Sequence, residues 1–580
     1  MIVYRDQRSW ADPRRLLSEL RTATRRVAGA PSHEIARDIL ITAGTLEAGV
    51  LDILFPQSDG MHPLAGAFRS SSVFAGRVLW HTWHSRPEEA QIWWNQLAQQ
   101  LDGIAQYPLP AVVEITVPEG YAQYAVYPEM YLEAAKQVHA NFGRIDAVCL
   151  GLRSIGTSLS GAVAAGLSES GCTVRSATLR PRGHPFSRYP IVTAELSEFL
   201  RPNSGTHYLI VDEGPGLSGS SFAGTIELLR EWGVAADRIL LFPSWETDGS
   251  QLRSSVAREA WSRYRRFTAS FEDVWLRSGR LGADFPGEMR DVSAGEWRPE
   301  VYPDPAEYPA VQPQHERRKY LLSSGPTAPT KLLSFVGLGD RARKKVCRAH
   351  RLAQAGFTPE PESLAHGFLL RPFVPGTPLS PAGVNPEVLE QVAAYLAHLS
   401  VEHQAEPTVS ESNLREMIDV NLLEGLGPAW TEKIPAELYQ GSWAERVVAL
   451  DGRVLAHEWI RTADGYLKVD ALDHHQDHFF PGCQDIAWDV AASVFELGLT
   501  AEGRRALIGR YRRLSGDQTI SRRVCFYATA YLAFRLGYTA MAVSVLGDSP
   551  DGRRFAAETQ RYSGLLQQEL SGGWQVWCDA

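Results

Sequence analysis

Between about residues 108 and 250 short apolar runs alternate with helical stretches, and this alternation limits the possible folds more than any other feature of the chain. AVVEITV, DAVCLGL, CTVRSATLR, THYLIVDEG and RILLFPSW read as strands. YPEMYLEAAKQVHANF, SLSGAVAAGLSESG and SSFAGTIELLREWG read as helices. Buried strands joined through helices form a parallel sheet wound from βα units. Ligands of such sheets bind at the carboxyl ends of the strands, which points to the loops after DAVCLGL and YLIVDEG.

Both loops carry suitable chemistry. After Tyr208–Val211 come two adjacent acids, Asp212 and Glu213, then Gly216, Ser218, Gly219, Ser220 and Ser221 at the opening of a helix. Neighbouring carboxylates can hold ribose hydroxyls and orient the water shell of Mg2+. A Gly/Ser loop at a helix N-terminus presents N–H groups and hydroxyls to a phosphate. In the upstream loop, Arg153 can neutralise a diphosphate, and successive N–H groups of Ser154, Ile155 and Gly156 can donate to it. Between the two loops lies a basic segment broken by Gly and Pro, with Arg180, Arg182, His184 and Arg188.

The order of apolar strand, two acids, short turn and Ser218-Gly219-Ser220-Ser221 resembles the signature of type I phosphoribosyltransferases. GLRSIGTSL, RPRGHPFSR and VDEGPGLSGSSF together resemble the phosphoribosyltransferase-like proteins of tellurium-resistance-associated bacterial gene clusters. The match departs by one extra residue between acids and glycine. It also has Leu217 where purine-salvage members place an Asp, so a purine acceptor is not implied. The resemblance implies phosphoribosyl pyrophosphate as substrate, with Mg2+. Its 5′-phosphate would lie on Gly216, Ser218, Gly219, Ser220 and Ser221, and its ribose and metal on the catalytic pair Asp212 and Glu213. Its pyrophosphate would lie on Arg153, Ser154, Ile155 and Gly156, under a mobile loop carrying Arg180, Arg182, His184 and Arg188. Departure of pyrophosphate would leave an oxocarbenium-like C1 for an unidentified acceptor, the protein supplying position and charge.

The segment RVLAHEWIRTADGYLKVDALDHHQDHFFPGCQDIAWDVA has a different outline, which resembles aminoglycoside-phosphotransferase-like kinases over about residues 315–545. His457-Glu458-Trp459 stands at the place of H-G-D, Val469-Asp470 at the strand ending in a metal-binding Asp, and Asp485-Ile-Ala-Trp-Asp489 at D-x-A-x-D. This implies ATP at a kinase-like site of His457, Asp470 and Asp489, with Asp470 as metal ligand. Trp459 replaces the Asp of H-G-D, and no Glu in RARKKVCRAHRLAQAG pairs with a nucleotide-binding lysine, for which Lys319 and Lys331 are candidates. An active kinase, a nucleotide-binding pseudokinase and an unrelated helical domain all stay open. Asp470, Asp473, His474, His475, Asp477 and His478 are densely placed. In an extended segment alternate residues share a face and could converge on a divalent ion.

A chain of 580 residues exceeds one hydrophobic core. The expected fold class is a multidomain α/β protein. A mainly helical region spans 1–107, a parallel-sheet phosphoribosyltransferase-like domain 108–296, a Pro-rich linker 297–316, and a kinase-like α+β domain 317–580. The net charge of −9 argues against a nucleic-acid partner. Six scattered cysteines without a C-x-x-C pair suit a reducing cytoplasm. No apolar signal region opens the chain, and the run Val524–Leu546, with Arg535 at its centre, reads as a buried helix rather than a membrane span. The partners expected are small-molecule substrates and no membrane, with room for a homodimer. The leading reading leans to an enzyme, a phosphoribosyltransferase. The alternatives are a non-catalytic phosphoribosyl-ligand sensor coupled to the C-terminal domain, and an ATP-dependent small-molecule phosphotransferase.

Overall fold

The computed structural model describes residues 1–4, 8–27, 29–216, 218–323, 330–463, 465–573 and 577; Leu217 and Cys578 lie outside them. The chain is a mixed α/β protein of two compact units. One comprises Arg8–Pro286 with Gly337–Arg341; the other comprises Met1–Gln7, Gly287–Val336 and Ala342–Ala580.

In the first unit, β1 (Asp146–Leu152), β2 (Thr173–Leu179), β3 (His207–Val211), β4 (Ile239–Phe242) and β5 (Arg265–Arg266) form one sheet in the order β2-β1-β3-β4-β5. Every neighbouring pair is parallel. The central strands are buried on both faces, which is why their sequences are unbroken apolar runs and not alternating ones. On one face Val148, Leu150, Ile210 and Leu241 pack with Phe222, Ile226 and Leu229 of α4 (Ser220–Glu231). The AVVEITV run does not join this sheet: Val113–Thr116 pairs antiparallel with Arg8–Ala11.

The boundary expected at residue 107 separates no bodies. α1 (His33–Leu54) and α2 (Pro63–Trp83) pack on α3 (Ile155–Glu169), the helix that follows β1. Two glycines allow this approach. A Cβ on Gly44 would stand 2.6 Å from Ser158 Cβ, and one on Gly76 would stand 2.5 Å from the Gly161 carbonyl oxygen. The early helices are therefore an outer layer of the parallel-sheet unit. The basic segment expected as a mobile loop is a two-stranded hairpin, Pro181–His184 paired with Ser187–Pro190.

The second unit begins before residue 317, because β6 (Glu288–Asp291) is the edge strand of its sheet. With β7 (Lys319–Ser323), β8 (Lys331–Phe335), β9 (Ser363–Ala365) and β10 (Phe368–Pro372) it forms an antiparallel sheet in the order β6-β7-β8-β10-β9. α5 (Asp340–Gln354) connects β8 to β9. The hairpin of β11 (Trp459–Thr462) and β12 (Gly465–Lys468) follows, within a helical body centred on α6 (Ile520–Leu546). α6 is long and apolar enough to cross a membrane, but 67% of its apolar window is buried within the structure. Residues 297–316 are no free linker. Their prolines open three short turns, Val311 and Gln312 are buried, and Arg298 pairs with Asp551 at 2.7 Å.

The close packing of α2 on α3 leads to a stability prediction. Gly76→Ala gains about 1 kcal/mol of helix propensity but forces a methyl group into a backbone carbonyl. The net loss should be about 1–2 kcal/mol in chemical denaturation. Unchanged or increased stability would contradict the packing described.

Candidate functional site

In the parallel-sheet unit the strand order reverses between β1 and β3, the place at which ligands of such sheets bind. Ser154, between β1 and α3, has φ 139° and ψ −121°, a conformation L residues rarely adopt. A Cβ on Gly156 would lie 2.5 Å from the Val211 carbonyl oxygen and 3.3 Å from Asp212 Oδ1, so the first turn of α3 abuts the end of β3. The structure thus brings Gly156 beside Asp212. Asp212 Oδ1 accepts the Glu213 N–H at 2.9 Å, and burial pushes its pKa up to about 7. Glu213 accepts the Gly120 N–H at 3.1 Å. Gly216 and Gly219 take left-handed φ of 56° and 66°. Ser220 donates to the Pro185 carbonyl at 2.6 Å, its hydroxyl lies 3.2 Å from that of Ser218, and Arg188 approaches the Ser221 hydroxyl at 3.5 Å.

The other basic residues expected on a pyrophosphate have protein partners. Arg153 is buried between Asp59 and Asp52, the latter at 3.0 Å. Arg180 Nε also bonds Asp52 at 3.0 Å, and the Arg180 backbone N–H reaches Asp59 at 2.7 Å. Arg182 donates to the Phe55 carbonyl and lies 3.4 Å from Asp59. His184 sits exposed at the hairpin end, accepting the Phe186 N–H. Asp52 and Asp59 carry no signal in sequence, because they lie in the N-terminal helical region, remote in the chain from the arginines they meet.

In the second unit a cavity of about 260 Å³ lies between the antiparallel sheet and the β11–β12 hairpin. Cross-strand register sets Lys319 opposite Ser334 and Leu332 opposite both Leu321 and Arg371, so one sheet face turns all five toward the cavity. Glu458, Asp470 and His474 also line it, each with a ligand atom within 4.8 Å of the others. The Asp470 side chain is 40% exposed. Burial opposes its charge, but His474, Lys319 and Lys468 hold its pKa well below the carboxylate range. Burial likewise opposes protonation of His474, yet Asp470 and Asp451 raise it to about 10. Its Nδ1–H donates to the Asp451 carbonyl at 2.9 Å.

A buried ionic network positions these groups. Lys468 Nζ lies 3.0 Å from Asp451 Oδ2, pairs with Glu458 and donates to the Asp470 carbonyl. Asp451 also accepts the Tyr395 hydroxyl at 2.7 Å and the Val454 N–H at 3.0 Å. Val454 itself sits at φ 47°, a strained value for a β-branched residue. Asp489, one of the expected kinase-like residues, does not line the cavity. It accepts the Asp451 and Gly452 N–H groups at 2.8 Å each, and burial together with Asp451 raises its pKa to about 7. From α5, Lys345 pairs with Asp473 at 2.7 Å, while Arg348 donates to the carbonyls of Ala449 and Ala471 at 2.7 and 3.2 Å. α5 thus gives the cations and the facing loops the carboxylate and carbonyls.

His457 lines the cavity and stacks on Trp297, with ring centroids 6.3 Å apart. Trp459, at the place of the Asp of H-G-D, is buried against Tyr395. Of the two lysine candidates, Lys319 lines the cavity and Lys331 pairs with Glu362. The alternating arrangement expected over Asp470–His478 does not form, because His474–Gln476 is a tight turn. Asp473 and Asp477 turn to Arg317, and His475 donates to the Leu450 carbonyl at 3.0 Å. Sequence reasoning missed Glu458, Lys468 and Arg371 as site residues. Glu458 meets Asp470 only because the hairpin doubles back between them.

No family model matches the chain, and no curated protein matches it. Solved structures similar to it are small-molecule kinases. A choline/ethanolamine kinase family protein from Mesorhizobium loti is 14% identical, over 53% of this chain and 97% of that one, with TM-score 0.35. A choline kinase from Streptococcus pneumoniae is 12% identical, over 43% and 89%, with TM-score 0.31. A macrolide 2′-phosphotransferase from Brachybacterium faecium is 13% identical, over 48% and 96%, with TM-score 0.31. Likenesses this distant say nothing of activity.

The network around Lys468 makes a prediction. Lys468→Met leaves Asp451 and Glu458 without their shared cation, and should destabilise the protein by about 3–5 kcal/mol in denaturant titration. A loss below about 1 kcal/mol would mean the network is not the support described.

Proposed function

We propose that the unit carrying residues 342–580 is an ATP-dependent phosphotransferase acting on a small molecule. One observation carries this reading: across a single cavity the carboxylates Glu458 and Asp470 face the cations Lys319 and Arg371. Leu321, Leu332, Phe373, Val374, Ile460 and Val469 line the same cavity and suit a nucleotide base. Two carboxylates close together fit an oxygen-preferring ion such as Mg2+, so Glu458 and Asp470 are the residues that would hold it. Such an ion supplies charge neutralisation on the phosphates.

Lys319 and Arg371 bind phosphate oxygens and stabilise charge as the terminal phosphoryl group moves. In the transfer, the acceptor hydroxyl oxygen bonds to the γ-phosphorus as the bond to the β–γ bridging oxygen breaks. ADP leaves with that electron pair. The acceptor proton passes to His457, whose imidazole is kept neutral by burial. Asp451 does not take this role, being held by Lys468 and Tyr395.

Transfer of label from γ-labelled ATP measures this activity. Asp470→Asn should lower the rate on the order of 100-fold with the melting temperature preserved. Undiminished transfer in that variant would remove the assignment.

A second reading concerns the parallel-sheet unit, as a phosphoribosyltransferase or a sensor of phosphoribosyl ligands. It is favoured by the meeting of Gly156 with Asp212 where the strand order reverses. Calorimetry with phosphoribosyl pyrophosphate and Mg2+ tests it. Binding should disappear in the Asp212→Asn, Glu213→Gln double variant, and unchanged affinity would rule out those acids as the site.

A further inference from the structure

Part of the cavity wall is gathered around Tyr538, away from the carboxylate cluster in character. Arg535 and Arg453 both line the cavity and both lie over the Tyr538 ring, at 5.9 and 5.6 Å from its centroid. They are near enough for each to disfavour the other's charge. Arg453 is partly met by Asp477 at 3.3 Å, but Asp477 is shared with Arg317. Arg535 is 6% exposed, and among the described residues it makes no side-chain hydrogen bond and no ion pair within 4.0 Å; its Nε is buried and unsatisfied. Glu496, a carboxylate whose field reaches it, is already occupied by the Tyr531 and Tyr562 hydroxyls and by Arg561. The Tyr538 hydroxyl lies 3.2 Å from His315 Nδ1, and burial lowers the pKa of this imidazole to about 3, leaving it neutral.

A buried guanidinium with no carboxylate in hydrogen-bond contact leaves its N–H groups unmet, which is costly. An oxyanion between the two would satisfy both and bond in the bidentate manner arginine favours. We propose that Arg535 and Arg453 form the acceptor subsite of the phosphotransfer reading, on which this inference rests, and that the acceptor is an anionic small molecule whose carboxylate or phosphate they bind. Such an acceptor would present its hydroxyl toward His457 and its anionic group toward Arg535 and Arg453.

Calorimetric titration of the full chain, with ADP and Mg2+ present, tests this with three probes. Glycerate supplies a hydroxyl with a carboxylate, glycerol 3-phosphate a hydroxyl with a phosphate, and choline a hydroxyl with a cation. At least one anion should bind saturably and choline should not. Arg535→Gln should weaken the anion roughly tenfold, about 1.4 kcal/mol, whereas Arg535→Lys should retain most of the affinity. A melting curve of each variant establishes that it is folded, and the wild-type titration stands even if Arg535→Gln does not fold. Binding of neither anion, choline binding as tightly as the anions, or an affinity indifferent to Arg535→Gln in a folded protein overturns the proposal. ADP titrated alone separates the two claims: anion binding without nucleotide binding sinks the phosphotransfer reading and leaves the anion subsite, and the converse sinks only the subsite.

Discussion

A single ammonium group sets the geometry of the cavity floor. Lys468 closes β12, and the hairpin register places it opposite Trp459, the residue after Glu458. Its Nζ therefore reaches Glu458 on one side and Asp451 on the other, and the chain continues directly to Asp470. The β11–β12 hairpin acts as a ruler. A slip of one residue would turn Lys468 to the opposite face and separate the three acids, because side chains alternate along a strand. In a buried setting the Asp451 and Glu458 carboxylates need that cation, so the ionic network and the strand register enforce one another.

The backbone of this arrangement was readable in sequence, but its electrostatics were not. Val148–Leu152 and Leu209–Val211 announce buried parallel strands because every position is apolar, and Asp470 stands out as an acid closing an apolar strand. Charge pairing resists such reading because the partners come from remote segments. Arg153, Arg180 and Arg182 look like an anion-binding set until Asp52 and Asp59 arrive from the first hundred residues. Gly44 and Gly76 look like weak points in helices, yet they are the notches through which those helices meet α3.

The two candidate sites differ in how completely the protein answers its own charges. Beside β1 the arginines are matched by nearby aspartates, and the serine hydroxyls of the loop after β3 bond to the hairpin and to one another. Around Tyr538, Arg453 and Arg317 share Asp477, and among the described residues Arg535 makes no ion pair within 4.0 Å, which leaves one guanidinium in surplus of direct partners. In a low-dielectric interior such a surplus is an energetic cost that packing alone does not repay.

Lys345 and Arg348 project from a single helix and take hold of two separate stretches of chain, one at Ala449–Leu450 and the other at Ala471–Asp473. The helix thereby works as a lever with both loops fastened to it. A tilt of α5 would carry with it the backbone that follows Asp470 and the stretch that leads into Asp451, so any contact that shifts this helix also shifts the acids of the cavity floor.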